Sequence, residues 1–427
     1  MKLRGFLCLA TMLSCAGSVR IAAQGAFRTL TVEQAVDEAV QRNLALLAER
    51  ANLSIAEAAL VSARLRPNPV LSATSERLDL LGTGFNETNG AGPPEYAVRV
   101  DVPFERAHKR ELRTDVADYA KRQAEARIAD AVRRLKLDVV LASVDILEAK
   151  ARVQLAEDNL QTLERLVQLN ERRLTSGAIP PLEVTRSRVA MLQYRGAVKT
   201  AQLALIQARL KLLPLLGRKP DEAPIDIEDR LGVTPASAGP DVTGLQLTAR
   251  ATRPDLLVLH QDEARTQADL RLQIAQAKVD YTLGVEYRRE QGVNGRGNLL
   301  GLFVSVPLPL FNRNQGEIGR AEAEHEKARR SLAAVETDVA GEVASAYEEF
   351  ESARQLLIEI ERDLLKPTAD VRSVTTYVYQ AGATSLLDVL DAQRAFNDTM
   401  ETYFSAQAVY RRAQAKLSIA VNKDVLP

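Results

Sequence analysis

Tryptophan is absent from the 427 residues, and all aromatics together make up only 4%. That is thin for a large globular core; the abundance of Ala, Leu, Glu, Arg and Gln points instead to long helices packed by small side chains. The three histidines, His108, His260 and His325, are scattered, and both cysteines, Cys8 and Cys15, lie near the N-terminus. A zinc enzyme or a cysteine hydrolase is thereby disfavoured, and no cofactor or metal site is expected. Charge of one sign is also lacking, with 56 Lys+Arg against 56 Asp+Glu. Nucleic-acid binding, which leans on clustered cations, has no electrostatic basis here. No phosphate-binding loop occurs, and no clustered constellation of titratable groups identifies an enzyme. After the first residues, no apolar run is long enough for a transmembrane helix.

Lys2 and Arg4 precede an apolar run from Gly5 to Leu13, followed by small residues. A basic start, a short apolar stretch and small residues describe a secretory signal, assigned to residues 1–23, with cleavage after Ser18 or Ala23. A second reading takes Met12-Leu13-Ser14-Cys15 as a loose lipoprotein box in which Cys15 would be acylated. Either way the chain is exported.

The remainder carries two copies of one pattern. Gly177-Ala178 with Leu182-Glu183-Val184 matches Gly382-Ala383 with Leu387-Asp388-Val389 at one offset. Val100-Asp101-Val102-Pro103 matches Val304-Ser305-Val306-Pro307, and Arg42-Asn43-Leu44 matches Thr252-Arg253-Pro254. Three landmarks in the same order indicate a duplication. The first repeat is placed at 24–213, an irregular Pro-containing connector at 214–244, the second repeat at 245–421, and a tail at 422–427.

Each repeat reads as helix, strands and long helical hairpin. Thr31 to Arg66 lacks Gly and Pro and opens with Thr31 and Gln34, a capping box. Glu105 to Ser176 also lacks both, which predicts a helix of about 100 Å. Leu160, Leu163, Val167 and Leu174, and in the second repeat Val339, Ala346, Phe350, Ala353, Leu357, Ile360 and Leu364, recur at coiled-coil spacing. Second helices follow from Leu182 to Leu213 and from Ser385 to about Val421, so Gly177 and Gly382 mark hairpin tips. Pro367 is expected to kink its helix.

Four segments alternate instead. Tyr96, Val98, Val100 and Val102, then Tyr281, Leu283, Val285 and Tyr287, put apolar side chains on one face and polar ones on the other. Leu300 to Val306 does so less cleanly, and Val70 to Leu78 is the weakest. Such strands suit a barrel with lipid outside and water inside, the Gly-rich stretches 82–92 and 292–297 forming extracellular loops. Alternation alone also allows half-buried hairpins in a soluble domain. Four strands cannot close around a lumen, and an open edge cannot sit in lipid, so a membrane barrel requires several chains. Three copies give twelve strands, enough for a channel.

The two repeats, the Pro-ended strands and the Gly tips resemble the TolC-like outer membrane factors of bacterial efflux systems, from about Leu30 to Ala420. Val306-Pro307-Leu308-Pro309-Leu310-Phe311-Asn312-Arg313-Asn314-Gln315-Gly316 and Arg66-Pro67-Asn68-Pro69 are similar to the heavy-metal subgroup, the cobalt–zinc–cadmium type. The resemblance implies a mainly α fold with a small membrane β-barrel portion: a homotrimer sharing a twelve-stranded barrel in outer-membrane lipid above a periplasmic α-barrel. It also implies two partners, a periplasmic adaptor and an inner-membrane pump of the RND type. The family pattern Tyr-x-x-Gly then Asp-x-x-Asp is met by Tyr379, Gly382, Asp388 and Asp391, with Glu183 as the first-repeat carboxylate able to bond the tyrosine. These residues form the expected periplasmic gate and cation ring. Arg173, Leu174, Gly177 and Gly382 match the tips where adaptor hairpins dock. Thr384 departs from the pattern, because the best-studied type has an Arg there that locks the closed state.

The residues also allow a plainer reading. Ser385-Leu386-Leu387-Asp388 is itself a capping box, and Glu183 follows Pro180-Pro181 in a first turn where the helix dipole favours a carboxylate. A cap can nonetheless face a pore. The function expected is a passive exit duct for cations delivered by a pump. The alternatives are a periplasmic coiled-coil adaptor or structural protein without its own pore, and an outer membrane factor exporting organic compounds or antibiotics.

Overall fold

The computed structural model describes residues 28–82, 84, 93–222, 224–235, 241–292 and 295–424. The leader with Cys15 and most of the 82–92 stretch lie outside these residues. In chain order the described elements are β1 (Arg28–Leu30), α1 (Val32–Arg42), α2 (Leu44–Arg64), β2 (Val70–Glu76), β3 (Glu95–Phe104), α3 (Lys109–Thr175) and α4 (Pro181–Leu215). There follow β4 (Ile225–Ile227), α5 (Val242–Thr252), α6 (Pro254–Gln276), β5 (Tyr281–Gly292), β6 (Gly295–Ser305), α7 (Gln315–Glu359), α8 (Leu365–Gln380) and α9 (Leu386–Val421). No helix among the described residues is long and apolar enough to cross a membrane.

The helix expected from Thr31 to Arg66 is two helices, broken at Asn43. Asn43 takes an extended backbone, caps α2 by accepting from Leu46 N (3.0 Å), and donates from Nδ2 to Leu215 O at the end of α4 (3.0 Å). Arg253 breaks the second repeat at the matching place and donates from Nη1 to Ala420 O at the end of α9 (3.2 Å). The duplication thus extends to the hydrogen bonds that tie each short helix pair to the base of its long hairpin. Both breaks sit beside cores: Leu30, Ala35, Ala39, Val139, Ile146, Leu212 and Ile227 in the first repeat, and Leu256, Val343, Phe350, Leu357 and Leu417 in the second. The parallel pair β1–β4 brings the connector onto the first core.

The 67 residues of α3 span about 100 Å. On the second side, α7 passes through a π-helical turn, Ile360–Leu364, into α8. Pro367 lacks an N–H for the carbonyl one turn back and crowds it, and this wider turn just before it accommodates the mismatch. The added residue also rotates the heptad, so Ile360 is 2% exposed whereas Leu364 is 47% exposed.

At the other end lies one four-stranded antiparallel sheet, ordered β2-β3-β5-β6. Its register aligns Leu71, Val100, Val285 and Leu302 in one row, and Ala73, Val98, Tyr287 and Leu300 in the next. That face is apolar and exposed. On the opposite face Arg99 pairs with Asp101 (2.8 Å) and lies 4.1 Å from the Phe303 ring centroid, while Arg288 pairs with Glu286 (3.0 Å). Gly284 and Gly301 make room for this network, since a Cβ would sit 2.4 Å from Asp101 Oδ1 and 2.8 Å from Phe303 Cε2 respectively. The glycines that blur the alternation of these strands are therefore packing positions. In the stretch expected as a hairpin loop at 292–297, the strands run further than expected, with Gly292 pairing with Gly295, Gln291 with Arg296 and Glu290 with Gly297.

Candidate functional site at the hairpin tips

Both tips are built by the same cap. Gly177 (φ +72°) receives the end of α3, with Gly177 N donating to Leu174 O and Ala178 N to Arg173 O. Gly382 (φ +82°) does the same for α8, with Gly382 N donating to Tyr379 O and Ala383 N to Val378 O. This pair of bonds satisfies the last carbonyls and needs a left-handed residue, which glycine supplies without strain. Both glycines end up exposed, flanked by the alanines.

Behind the tips, Tyr379 is 2% exposed among Leu163, Leu166, Leu386, Val389 and Leu390. Its hydroxyl donates to Asn170 Oδ1 (2.7 Å), not to Glu183. Glu183 stands half-exposed in the first turn of α4, whereas Asn170 points into the seam where the ring is buried. Burial pushes the Tyr379 phenol up from its ordinary value, partly opposed by the Asn170 bond. Arg173 lies across the same ring (5.0 Å to the centroid) and donates from Nη2 to Tyr379 O (3.1 Å) and Gln380 O (2.7 Å). It joins the end of α3 to the end of α8 within one chain. Leu174 is half-buried beside it.

The carboxylates sit on α9. Asp388 Oδ2 accepts from Thr384 Oγ1 (2.6 Å), Ser385 Oγ (2.8 Å) and Ser385 N (3.0 Å), completing the capping box. The Thr384 bond first, then those from Ser385, hold the Asp388 carboxyl below its ordinary value. Thr384, which departs from the family pattern, therefore works here as a ligand of the cap. Asp391 is one turn on, with a side chain 73% exposed and Arg394 at 3.5 Å. Structure thus brings Tyr379, Arg173 and Asn170 into one contact group and leaves Asp388, Asp391, Gly177 and Gly382 on the surface.

Asn170 and Asn159 were not legible as site residues. Asn159, Leu163, Leu166 and Asn170 follow heptad spacing, but a search for apolar residues skips the two asparagines. Asn159 accepts from Gln393 Nε2 (2.8 Å) and donates to Asn397 Oδ1 (2.6 Å), joining α3 to α9 through a polar layer. Asn170 Nδ2 is buried without a partner. Polar side chains at seam positions are the signal that would have found them.

Two long capped hairpins repeated in one chain, with an open sheet at their far end, agree with a family match over residues 35–218 and 246–423, described as outer membrane efflux protein. The chain belongs to the outer membrane efflux protein family. It is 25% identical over 365 residues to the cobalt-zinc-cadmium resistance protein CzcC of Cupriavidus metallidurans, covering 86% of this chain and 83% of that one. The pyoverdine export outer membrane protein OpmQ of Pseudomonas putida is 24% identical over 435 residues, covering 93% and 86%. Among solved structures, the outer-membrane channel OprN superposes with a TM-score of 0.75 at 20% identity, over 95% of this chain and 94% of that one. This outer membrane efflux protein resides in the outer membrane with a long periplasmic helical extension, and it is a transport protein rather than an enzyme.

Proposed function

We propose that the protein is the exit duct of a tripartite efflux system, a homotrimer carrying heavy-metal cations delivered by an RND-type inner-membrane pump through a periplasmic adaptor. The observation that carries this is the sheet: four strands, an exposed apolar face, and β2 and β6 each with a free edge. Such edges need pairing in lipid, and three copies joined β6 to β2 close twelve strands around a lumen. The hairpins then assemble below as a helical tube. At its mouth, Asp388 and Asp391 each form a ring of three carboxylates, with Glu183 nearby, concentrating cations and opposing anions. Tyr379, held by Asn170 and Arg173, ties the second hairpin to the first behind the tips, and the tips at Gly177 and Gly382, with Arg173 and Leu174, receive the adaptor. Opening is a change between two packings of these helices. The likeness to a metal resistance protein supports metal cations as cargo.

The test is single-channel conductance of the purified trimer in planar bilayers. Low conductance, blocked by divalent cations from the tip side and released in Asp388→Ala/Asp391→Ala, is the expected result. A pore unaffected by the double substitution would reduce both aspartates to caps, and no pore at all would overturn the duct.

A further inference from the structure

The apolar face of the sheet has a definite upper border. Tyr96 pairs with Arg289 and Arg289 with Asn298, and the Tyr287 hydroxyl donates to Asn298 Oδ1 (3.0 Å). At the helix end the face closes on aromatics: Phe104 pairs with Tyr281, and the Arg106 guanidinium lies 5.0 Å from the Tyr281 centroid. Thr282 pairs with Ser305, which sets Val306 beside Tyr281 in the same row. From Tyr96 to Phe104 is eight residues, about 26 Å along a strand and about 20 Å in height at the usual barrel tilt, whereas the apolar band of such barrels is about 25 Å tall. The upper border is polar on β3, β5 and β6, and only beyond β2 do exposed apolar residues, Leu78, Leu80 and Leu81, continue upward, so along β6 the band is extended downward.

On the connections that lead from β3 and β6 into the long helices, the chain stays apolar in one repeat only. Leu308, Leu310 and Phe311 are 75%, 67% and 92% exposed. At the matching places the first repeat has Phe104, Arg106 and Ala107, with Glu105 bound to Arg113 (2.7 Å). The loop is not loose: Asn314 Nδ2 donates to Gln273 O at the end of α6 (2.8 Å), and Gln315 Nε2 to Phe311 O (3.4 Å). Pro307 and Pro309 restrict the backbone on either side of Leu308. Arg313 follows them, exposed.

We propose that Leu308, Leu310 and Phe311 form a lipid-inserting collar, entering the acyl region of the periplasmic leaflet of the outer membrane while Arg313 meets its phosphate groups. The collar completes the band at its lower edge, sets the depth of the barrel, and rests on the barrel reading above. Its apolar residues follow directly on β6, whose exposed apolar face the duct reading places against lipid.

The absence of tryptophan makes a clean test. Phe311→Trp, and Leu308→Trp as a second site should the first disturb folding, are placed in the full chain and reconstituted into vesicles of phospholipid brominated on its acyl chains. The expected result is blue-shifted emission, quenched roughly twofold or more by the brominated lipid and little by aqueous iodide. Emission quenched by iodide alone would put the loop in water and overturn the collar. Blue-shifted emission indifferent to both quenchers would show a second copy of the chain covering it, and would equally overturn it. Conductance of the same vesicles separates the two readings: a conducting channel without bromine quenching defeats the collar alone, and vesicles without conductance defeat the duct.

Discussion

At the residue scale the tip is governed by which polar groups are buried. Tyr379 and Asn170 are each other's partners in the seam, so Tyr379→Phe leaves both ends of the Asn170 amide unpaired and costs about 1–3 kcal/mol. Removing both polar groups in Tyr379→Phe/Asn170→Leu is expected to restore most of that loss, because two apolar groups need no partner. Chemical unfolding of the detergent-solubilised protein measures the difference, and equal destabilisation of single and double variants would refute the pairing. Asp388 gives a pH expectation of definite sign. Its folded carboxyl titrates below the ordinary value, so its contribution to the cap is present above the unfolded pKa of about 3.9 and is lost as pH falls through the folded value. In an Asp391→Ala background, divalent block at the tip is expected to be constant from about pH 8 to about pH 5. A block that fades across that window would place its origin elsewhere than Asp388. The capping box and the two tip glycines were legible in the sequence, since Ser-x-x-Asp and a Gly after a long helix are local signals. The Tyr379 partner was not, because the residue that receives its hydroxyl is chosen by the seam between α3 and α8, 209 positions away.

At the scale of elements, the two repeats solve one joint with different chemistry. Gly217 (φ +68°) follows α4 and lies flat on Arg42, where a Cβ would sit 2.2 Å from the Arg42 carbonyl oxygen. Asn422 (φ +58°) follows α9 and donates from Nδ2 to Thr252 O (2.8 Å). Each joins the end of a long helix to the residue before a helix break, once by close approach and once by a hydrogen bond. Gly217→Ala must therefore move backbone, and its cost is expected to exceed the roughly 1–2 kcal/mol of the left-handed penalty by a further 1–3 kcal/mol of overpacking. Gly177→Ala meets nothing within 4 Å and is expected to cost the left-handed penalty alone. Thermal denaturation of the two variants side by side decides this, and equal losses would mean that α1 yields freely. Helix lengths and hairpin tips were readable because long stretches without Gly or Pro leave few alternatives. The break at Asn43 was not readable, since Asn is an ordinary helix-surface residue and its role appears only against Leu215. The widened turn at Ile360–Leu364 was half-readable: Pro367 announces a disturbance, but packing decides where the turn opens.

At the scale of the whole molecule, the sheet is the part that one chain cannot satisfy alone. Sequence alternation located two of its strands clearly, a third less cleanly and the fourth weakly, because Val70–Glu76 is mostly small and polar and is identified as a strand only by its pairing with β3. The two faces differ in what they tolerate, which yields a test of membrane placement independent of conductance. Leu302 is 80% exposed in the middle of the apolar face, in the row of Leu71, Val100 and Val285. Leu302→Arg places a charge near mid-membrane and is expected to destabilise the inserted barrel by about 2–4 kcal/mol. Phe303, the next residue, faces the polar network with Arg99. Phe303→Arg loses that stacking and adds a cation beside Arg99, yet it keeps the charge on the water-facing side, so insertion should survive. Urea extraction of outer membranes and heat-resistant oligomer on gels read both variants. Loss of the inserted form in Leu302→Arg with retention in Phe303→Arg is the expected pair of results. If both variants are extracted alike, the apolar face is covered by protein instead of lipid, and the barrel must be assembled the other way round.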